Sequence, residues 1–242
     1  ARDPRLARDS YMSCASCHSD GGSDGRVWDL SSQGEGLRRT ISLRGKGKDG
    51  GHGFRHWSGN FDEVQDFEGQ IRTLAGGTGL MSNAAYTAGT TAQPLGNAKS
   101  GVSPDLDALA AYVNSLNVYD NSPYYPWGTV PQAVTDGKAL FQAQSCVNCH
   151  GGTAFSSSGD ATLFNIGTLK ASSGNRLGGA LTGIDPPTLR GAFAQTAFLH
   201  DGSAPTIDAA IQAHQGVNLT TGQVANLAAY LRTIGSEEPA AA

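Results

Sequence analysis

The sequence predicts a mainly α-helical protein made of two similar halves. Three observations lead to this prediction: a repeated amphipathic helix pattern, a repeated cysteine–histidine motif, and a proline-rich segment between the two copies. The chain has 242 residues, a length that suits one or two domains. We place the boundary near residues 120–133 and expect domains at 1–127 and 128–242.

The repeated helix is recognised by the shared letters LAAY in Leu106–Leu116 and Val224–Ile234. In both segments apolar residues recur at i, i+3, i+4 and i+7, the pattern of an amphipathic helix with one buried face. The expected buried faces are Leu106, Leu109, Tyr112, Val113 and Leu116 in the first helix, and Val224, Leu227, Tyr230, Leu231 and Ile234 in the second.

Residues that favour helix ends flank both segments. Ser103 and Pro104 predict an N-cap and a first helical position for the first helix. Thr220 or Thr221 can cap the second helix, and Gly235 is expected to end it.

A short helix is expected before each cysteine–histidine motif. The second is clearer, since Thr135 can cap Asp136–Phe141, which runs into the motif. Between the halves, Tyr119–Pro131 holds three prolines in thirteen residues and is predicted to be a linker.

The motif itself is Cys-x-x-Cys-His, the attachment signal of c-type haem. All four cysteines of the chain lie in its two copies, Cys14-Ala-Ser-Cys17-His18 and Cys146-Val-Asn-Cys149-His150. Two thiols on one turn can bond the two vinyl groups of one porphyrin, while the adjacent imidazole binds the iron as proximal ligand. The sequence therefore predicts two covalent haems with His18 and His150 as iron ligands.

Zinc binding, a disulfide or a redox dithiol are the alternatives for these cysteines. A zinc site does not suit the spacing, because the two pairs begin 132 residues apart, far beyond the usual ligand separation. A redox dithiol would explain one pair but not the histidine that follows each pair.

Composition excludes other classes of protein. The net charge of −4 offers no basic surface for nucleic acid, and no apolar run is long enough to cross a membrane.

The chain opens ARDPRLARDS, which is not a signal peptide, so we expect a processed form or a piece of a larger protein. Because thioethers to haem are made outside the bacterial cytoplasm, we expect a periplasmic or extracellular location.

Several segments resemble the bacterial di-haem cytochrome c peroxidases and MauG-type enzymes. Pro187–His214 is similar to their second domain, and Arg39–Leu43 and His56–Phe61 are similar, more loosely, to segments of their first. The resemblance implies two cytochrome c-like domains of the class I fold, each with one covalent haem and long glycine-rich loops, with the two haems facing each other.

The resemblance also implies ligands around the second haem. The family places the sixth iron ligand fourteen residues after the histidine of a His-Asp-Gly turn, and from His200 this spacing leads to His214, at the end of a helix over Thr206–His214. The alternative is a surface histidine at a helix C-terminus. His200 and Arg190 are expected to bind haem propionates; the alternatives are a turn-pinning role for His200 and a surface ion pair for Arg190.

Trp57 matches the tryptophan that couples the two haems in the family, with an ordinary core tryptophan as the alternative. The peroxidases carry a glutamate about twenty residues beyond it. The corresponding segment here, Ala75–Met81, contains no acid. Candidates for the first haem's sixth ligand are His56, Met81 and His52, or the site is open; for Met81, core packing is the common alternative.

Two further features were considered for metal ions. The resemblance allows a calcium ion between the domains, but the family's asparagine position reads Arg39-Thr40 here. The acidic residues Asp62, Glu63, Asp66 and Glu68 could bind a metal, although we expect them to form a solvated helix face.

These features predict an electron-transfer di-haem cytochrome c that uses Trp57 between its haems and a redox protein or fused domain as partner. The alternative is a hydrogen peroxide-reducing cytochrome c peroxidase, in which Glu63 or Glu68 would replace the missing acid. A MauG-like oxidation of a partner protein is a third hypothesis, and it also requires an open haem. No nucleic acid or membrane is expected as a partner.

Overall fold

The computed structural model describes residues 3–45 and 53–241, and α-helix is the main regular structure in them. The helices are α1 (Cys14–Cys17), α2 (Phe67–Thr73), α3 (Asn83–Tyr86), α4 (Pro104–Ser115), α5 (Gln132–Ala143), α6 (Val147–His150), α7 (Ile207–Ala213) and α8 (Thr221–Thr233). Two antiparallel hairpins, which the sequence did not predict, pair β1 (Val27–Asp29) with β2 (Leu37–Arg39) and β3 (Asn175–Arg176) with β4 (Gly179–Ala180).

The second half has an apolar core where α5 and α8 cross and α7 packs on α8. All five positions of the apolar face predicted for α8 are buried. Phe141 of α5 contributes aromatic contacts, with ring centroids 5.6 Å from Tyr230 and 6.1 Å from Phe155. The core also includes Ile207, Ile211 and Ala228.

The crossing of α5 and α8 depends on Gly137. A Cβ atom at this position would lie 2.0 Å from the backbone oxygen of Asn226 and 2.8 Å from Cβ of Tyr230. Only a residue without a side chain therefore lets the two backbones come this close.

The predicted N-caps of α4 and α8 are confirmed. Ser103 Oγ accepts a hydrogen bond from the Leu106 amide at 3.4 Å, and Thr220 Oγ1 accepts one from the Gln223 amide at 3.3 Å. Helix α8 ends at Thr233, close to the predicted stop. Each hydroxyl satisfies an amide that has no partner within the helix.

The apolar face predicted for α4 is too wide. Leu106 and Ala110 are buried, but the Tyr112 side chain is 56% exposed. Among the described elements, α4 packs mainly against the short turn Val64–Asp66, whereas α8 has both α5 and α7 as neighbours. A single short turn therefore covers a narrower part of the α4 surface than two helices cover on α8.

The predicted helices before the two motifs need correction. The second, α5, begins at Gln132 directly after Pro131, and Thr135 lies inside the helix rather than capping it. Before the first motif, residues 3–13 contain only the 3₁₀ turn Arg8–Ser10, because Asp9 has a left-handed φ of 55° that interrupts a helix.

The solvated helix face predicted for the four acidic residues is wrong for Asp66 and Glu68, whereas Asp62 is exposed as expected. Asp66 and Glu68 are 3% and 0% exposed. Each has a cation: Lys99 Nζ lies 2.5 Å from Asp66 Oδ1, and Arg72 Nε lies 2.7 Å from Glu68 Oε1. These acids therefore fold inward because buried cations face them.

The two halves are joined by backbone hydrogen bonds that cross between them. The Arg39 amide donates to the His200 carbonyl at 2.7 Å, and the Asp185 amide donates to the Trp57 carbonyl at 2.8 Å.

The segment Tyr119–Pro131 contains no helix or strand, as expected of a linker. Division into domains at 127/128 stays a prediction.

None of the helices in residues 3–45 and 53–241 is long and apolar enough to cross a membrane.

Gly137→Ala should destabilise the folded protein by about 1–3 kcal/mol, because the added methyl group collides with the α8 backbone. Thermal unfolding followed by circular dichroism measures this as a lower midpoint. Gly222→Ala is the matched control: it also lies in a helix of the crossing, and nothing lies within 4 Å of its added methyl group. An unchanged midpoint for Gly137→Ala would contradict the close crossing.

Candidate functional site

A cavity of about 320 Å³ lies beside the second motif. Cys146, the N-cap of α6, and Cys149 and His150 within α6 line it on one side, and His214 lines it from the end of α7. Much of the remaining wall is apolar and includes Phe141, Ile184, Ile211, Leu227 and Leu231. The sequence brings these residues together because α5 leads into the motif and α7 and α8 pack over it.

His214 is held in a defined orientation. It is the C-cap residue of α7, and its Nδ1 lies 2.7 Å from the Ala210 carbonyl oxygen. Since a carbonyl only accepts, Nδ1 carries the proton and Nε2 keeps its lone pair. His214 therefore has a nitrogen available as a metal ligand.

His150 and His214 are electrostatic neighbours across the cavity. Burial, together with the nearby charge of His214, lowers the pKa of His150 to about 4. His150 is thus favoured in the neutral form that binds metals.

The first half supplies one wall of this cavity through Trp57 and Arg39. Trp57 is 4% exposed, and its Nε1 donates to the Arg39 carbonyl oxygen at 2.7 Å. The Arg39 guanidinium lies 5.2 Å from the centroid of the indole ring. Trp57 therefore lies at the contact between the halves, as its predicted role requires.

Arg39 is a buried cation without a carboxylate partner among its hydrogen bonds. Its Nη1 donates to the Thr40 carbonyl and to Gln195 Oε1, while Nε has no partner within the described structure. Burial lowers the pKa of Arg39 to about 10, so the side chain remains charged at neutral pH. It gives the cavity a positive edge.

This cavity fits a c-type haem. Paired thiols, two imidazoles and apolar walls match the vinyl groups, the iron and the faces of the ring. The unsatisfied Arg39 Nε suits an anionic group, such as a propionate, at the edge.

Arg190 and His200, the predicted propionate partners, both line the cavity, but their polar atoms have other contacts. Arg190 Nε donates to the Thr153 carbonyl at 2.6 Å, and Nη2 donates to the Glu238 carbonyl at 3.0 Å. His200 Nε2 lies 2.7 Å from Ser173 Oγ. This geometry supports the turn-pinning alternative for His200 and a role for Arg190 in anchoring the C-terminal segment.

The residues expected around calcium do not fit that ion. Where an asparagine was expected, the Arg39 guanidinium already binds the Thr40 carbonyl and Gln195 Oε1. A cation within this oxygen cluster would repel Ca²⁺.

The first motif has a similar histidine arrangement. His18 Nδ1 lies 3.1 Å from the Gly22 carbonyl oxygen, which leaves Nε2 available. Burial lowers the pKa of His18; the Gly22 carbonyl opposes this shift, and the nearby charge of His56 adds to it. His56 is therefore an electrostatic neighbour of His18, as His214 is of His150.

His56 is oriented by polar partners on one side. Its Nδ1 lies 2.8 Å from Asn60 Oδ1 and 3.4 Å from Glu35 Oε1. Both atoms accept hydrogen bonds, so Nδ1 carries the proton and Nε2 is free to bind a metal.

The other candidates for the first haem's sixth ligand differ in their surroundings. Met81 is 6% exposed, and its backbone amide and carbonyl are held by Glu68 Oε1 at 3.2 Å and Arg72 Nη2 at 2.6 Å. His52 lies outside the described residues.

Neither acid proposed as a substitute for the family's glutamate is free. The Glu63 carboxylate accepts from the Lys99 amide at 2.5 Å and the Ser100 amide at 3.2 Å. Glu68 accepts from Arg72 and from the amides of Leu80 and Met81. Both carboxylates thus support loops.

Sequence reasoning missed Glu35, Asn60 and the buried role of Arg39. Burial alone would raise the pKa of Glu35, but hydrogen bonds from His56 and Asn60, together with the charge of Arg38, hold it at about 2. Glu35 lies 21 residues before His56 and belongs to no motif, so the sequence carries no signal for this contact.

The alternatives for the cysteines find no support in the described structure. All four thiols are unpaired, which excludes a disulfide here. Nor do residues 3–45 and 53–241 contain a group of three or more His, Cys, Asp or Glu side chains that could hold a metal ion.

Comparison with known proteins shows which proteins the chain is similar to. A family model described as cytochrome c matches residues 134–235. The chain is 25% identical to the cytochrome c peroxidase of Escherichia coli over 96% of its own length and 56% of that protein. It is 23% identical to the cytochrome c551 peroxidase of Nitrosomonas europaea, covering 98% of this chain and 78% of the relative.

Solved structures share the fold. A MauG-like protein associated with microbial copper homeostasis matches with a TM-score of 0.63 at 19% identity, over 96% of this chain and 85% of the other. Hydrazine synthase from Kuenenia stuttgartiensis matches with a TM-score of 0.58 at 24% identity, over 96% of this chain and 84% of the other. The chain spans little more than half of the Escherichia coli relative. Together, the cytochrome c match over residues 134–235 and these relatives support a likeness of the chain to the bacterial di-haem cytochrome c peroxidase and MauG-type family.

Proposed function

We propose that the chain is an electron-transfer cytochrome that binds two c-type haems, each between two histidines. The proposal rests on a second histidine near each motif: His150 and His214 line one cavity, and His56 is an electrostatic neighbour of His18. The second member of each pair has Nδ1 bonded to an acceptor, so that Nε2 is available. Such outer contacts commonly orient histidine ligands.

In this arrangement the four cysteines would attach the porphyrins, and His18, His56, His150 and His214 would hold the irons. Bound haem would supply one-electron chemistry. With two histidines engaged at each iron, no position would be left for peroxide. Histidine in place of methionine also favours a lower reduction potential, because methionine ligation raises it.

Trp57 is the residue we assign to coupling between the haems. Its indole is buried at the contact between the halves and lines the second cavity. Its Nε1 hydrogen bond to Arg39 fixes the ring. Arg39 in turn presents a cation that would bind a propionate of the second haem.

The electron donor or acceptor is proposed to be a redox protein or a fused domain. We place the protein outside the cytoplasm, because haem thioethers are formed there in bacteria.

A second candidate function is the reduction of hydrogen peroxide, because both curated relatives are named peroxidases. It requires a first haem that opens and an acid near it. The absence of an acid in Ala75–Met81 and the structural use of Glu63 and Glu68 argue against it. A MauG-like reaction on a partner protein requires the same open haem.

Electron paramagnetic resonance of the oxidised and half-reduced holoprotein tests the two functions. We expect two low-spin haems at each redox level and no turnover of peroxide by a reduced donor. A persistent high-spin haem with rapid peroxide turnover would establish the peroxidase instead.

His214→Ala should turn the second haem high-spin and let its reduced form bind carbon monoxide, because one iron ligand is lost. Absorption spectroscopy of the reduced protein measures both changes. His200→Ala is the control, since His200 also lines the cavity but bonds to Ser173. If His200→Ala gave the high-spin haem and His214→Ala did not, the assignment of His214 would be wrong.

His56→Ala should have the same effect on the first haem, and Met81→Leu should leave it low-spin. Magnetic circular dichroism distinguishes histidine from methionine ligation in the starting protein and follows the loss of the ligand. A high-spin first haem in Met81→Leu, with His56→Ala unchanged, would assign methionine as the ligand and reject the double-histidine site.

A further inference from the structure

We propose that Glu35 is a positioning residue for the first haem: its buried carboxylate holds the His56 imidazole and stabilises the oxidised state of an iron bound at Nε2. This inference rests on the proposed pairing of His18 with His56. It adds a determinant of reduction potential that no motif of the sequence contains.

Glu35 is buried within the segment that carries His56. It is 4% exposed and lies on the turn between β1 and β2. Its Oε2 accepts from Ser58 Oγ at 3.1 Å, and its Oε1 accepts from Asn60 Nδ2 at 3.1 Å. Both donors come from the few residues after His56, so the carboxylate closes this segment into a compact unit.

The contacts continue to the imidazole by two routes. Glu35 Oε1 lies 3.4 Å from His56 Nδ1 directly. Asn60 also connects them, because its Oδ1 lies 2.8 Å from His56 Nδ1 while its Nδ2 donates to Glu35. The carboxylate therefore polarises the Nδ1–H bond both directly and through the amide.

The rest of the His56 ring is held by aromatic packing. Its centroid lies 4.4 Å from that of Phe61 and 4.9 Å from that of Phe67. The His56 backbone has a φ of 63°, an unfavourable conformation for a residue with a side chain. Such a conformation persists only where surrounding contacts impose it, and the Glu35 network provides them.

The charge of Glu35 is incompletely balanced by the protein. The nearest cation, Arg38, has its Nε 3.7 Å from Glu35 Oε2, beyond hydrogen-bond distance. Burying a carboxylate costs several kcal/mol unless it is well compensated. A negative charge at Nδ1 makes the imidazole a stronger donor and favours the more positive, ferric state of the iron.

The test is a set of spectroelectrochemical titrations of the holoprotein. Glu35→Gln removes the charge but keeps the shape, and it should favour reduction of the first haem at least tenfold, a rise of about 59 mV for one electron. The potential of the second haem is the internal control, because Glu35 contacts neither His150 nor His214.

A charge swap separates the electrostatic role from a purely structural one. In the double variant Glu35→Gln, Asn60→Asp the carboxylate moves to the other partner of His56 Nδ1. The equilibrium constant for reduction of the first haem should then return to within threefold of its starting value.

Asn60→Asp alone places a second carboxyl group at hydrogen-bond distance from Glu35. The two groups should share one proton, so the potential should stay close to that of the starting protein. Glu35→Asp keeps the charge but draws it back from His56, so it should favour reduction by less than Glu35→Gln does, and it tests the proposal even if Glu35→Gln does not fold.

Glu68→Gln is the matched control. It removes another buried carboxylate from the same half, one that accepts a hydrogen bond from the Met81 amide and does not contact His56. It should leave both potentials unchanged. If Glu35→Gln and Glu35→Asp both kept the starting potential, the role of Glu35 would be rejected.

The His56→Ala spectrum separates failure of this inference from failure of the proposed function. A first haem that stays low-spin in His56→Ala rejects the histidine pair, and the Glu35 role with it. A high-spin haem in His56→Ala, with unchanged potentials in the Glu35 variants, rejects only the Glu35 role.

Discussion

The close crossing of α5 and α8 is the constraint on which the second half depends. Gly137 lets the two backbones touch, and this contact fixes where α5 ends and the cysteine–histidine motif begins. The same crossing turns Leu227 and Leu231 of α8 toward the cavity. Helix separation is set by the atoms at the contact. Because Gly137 has no side chain, the short separation of α5 and α8 positions both the second cysteine–histidine motif and one wall of the cavity beside it.

The contact between the halves extends this arrangement to the first motif. Strand β2 donates the Arg39 amide to the His200 carbonyl, and its carbonyl receives the Trp57 indole. These bonds bring an aromatic ring and an uncompensated cation from the first half to the cavity of the second. The cavity is therefore a product of both halves.

The two halves are stabilised differently. The second has a continuous apolar core, whereas the first buries Glu35, Glu68 and the Asp66–Lys99 pair. Buried charges of this kind stabilise little by themselves, but they fix geometry because each loses much free energy when its partners move. In a chain that is only 38% hydrophobic, covalently bound porphyrin would supply much of the missing apolar material. The rigid polar network then holds the histidine opposite the first motif.

The sequence by itself determined helices α4 and α8 with their caps, the helix before the second motif and the two cysteine–histidine motifs. These features are encoded locally, in spacing, periodicity and capping residues. Tertiary structure alone decided that Thr135 lies within a helix, that Tyr112 is exposed, that Asp66 and Glu68 fold inward, and that Glu35 reaches His56. These outcomes depend on which distant segments meet, and a contact across 21 residues of irregular chain leaves no periodic trace in the sequence.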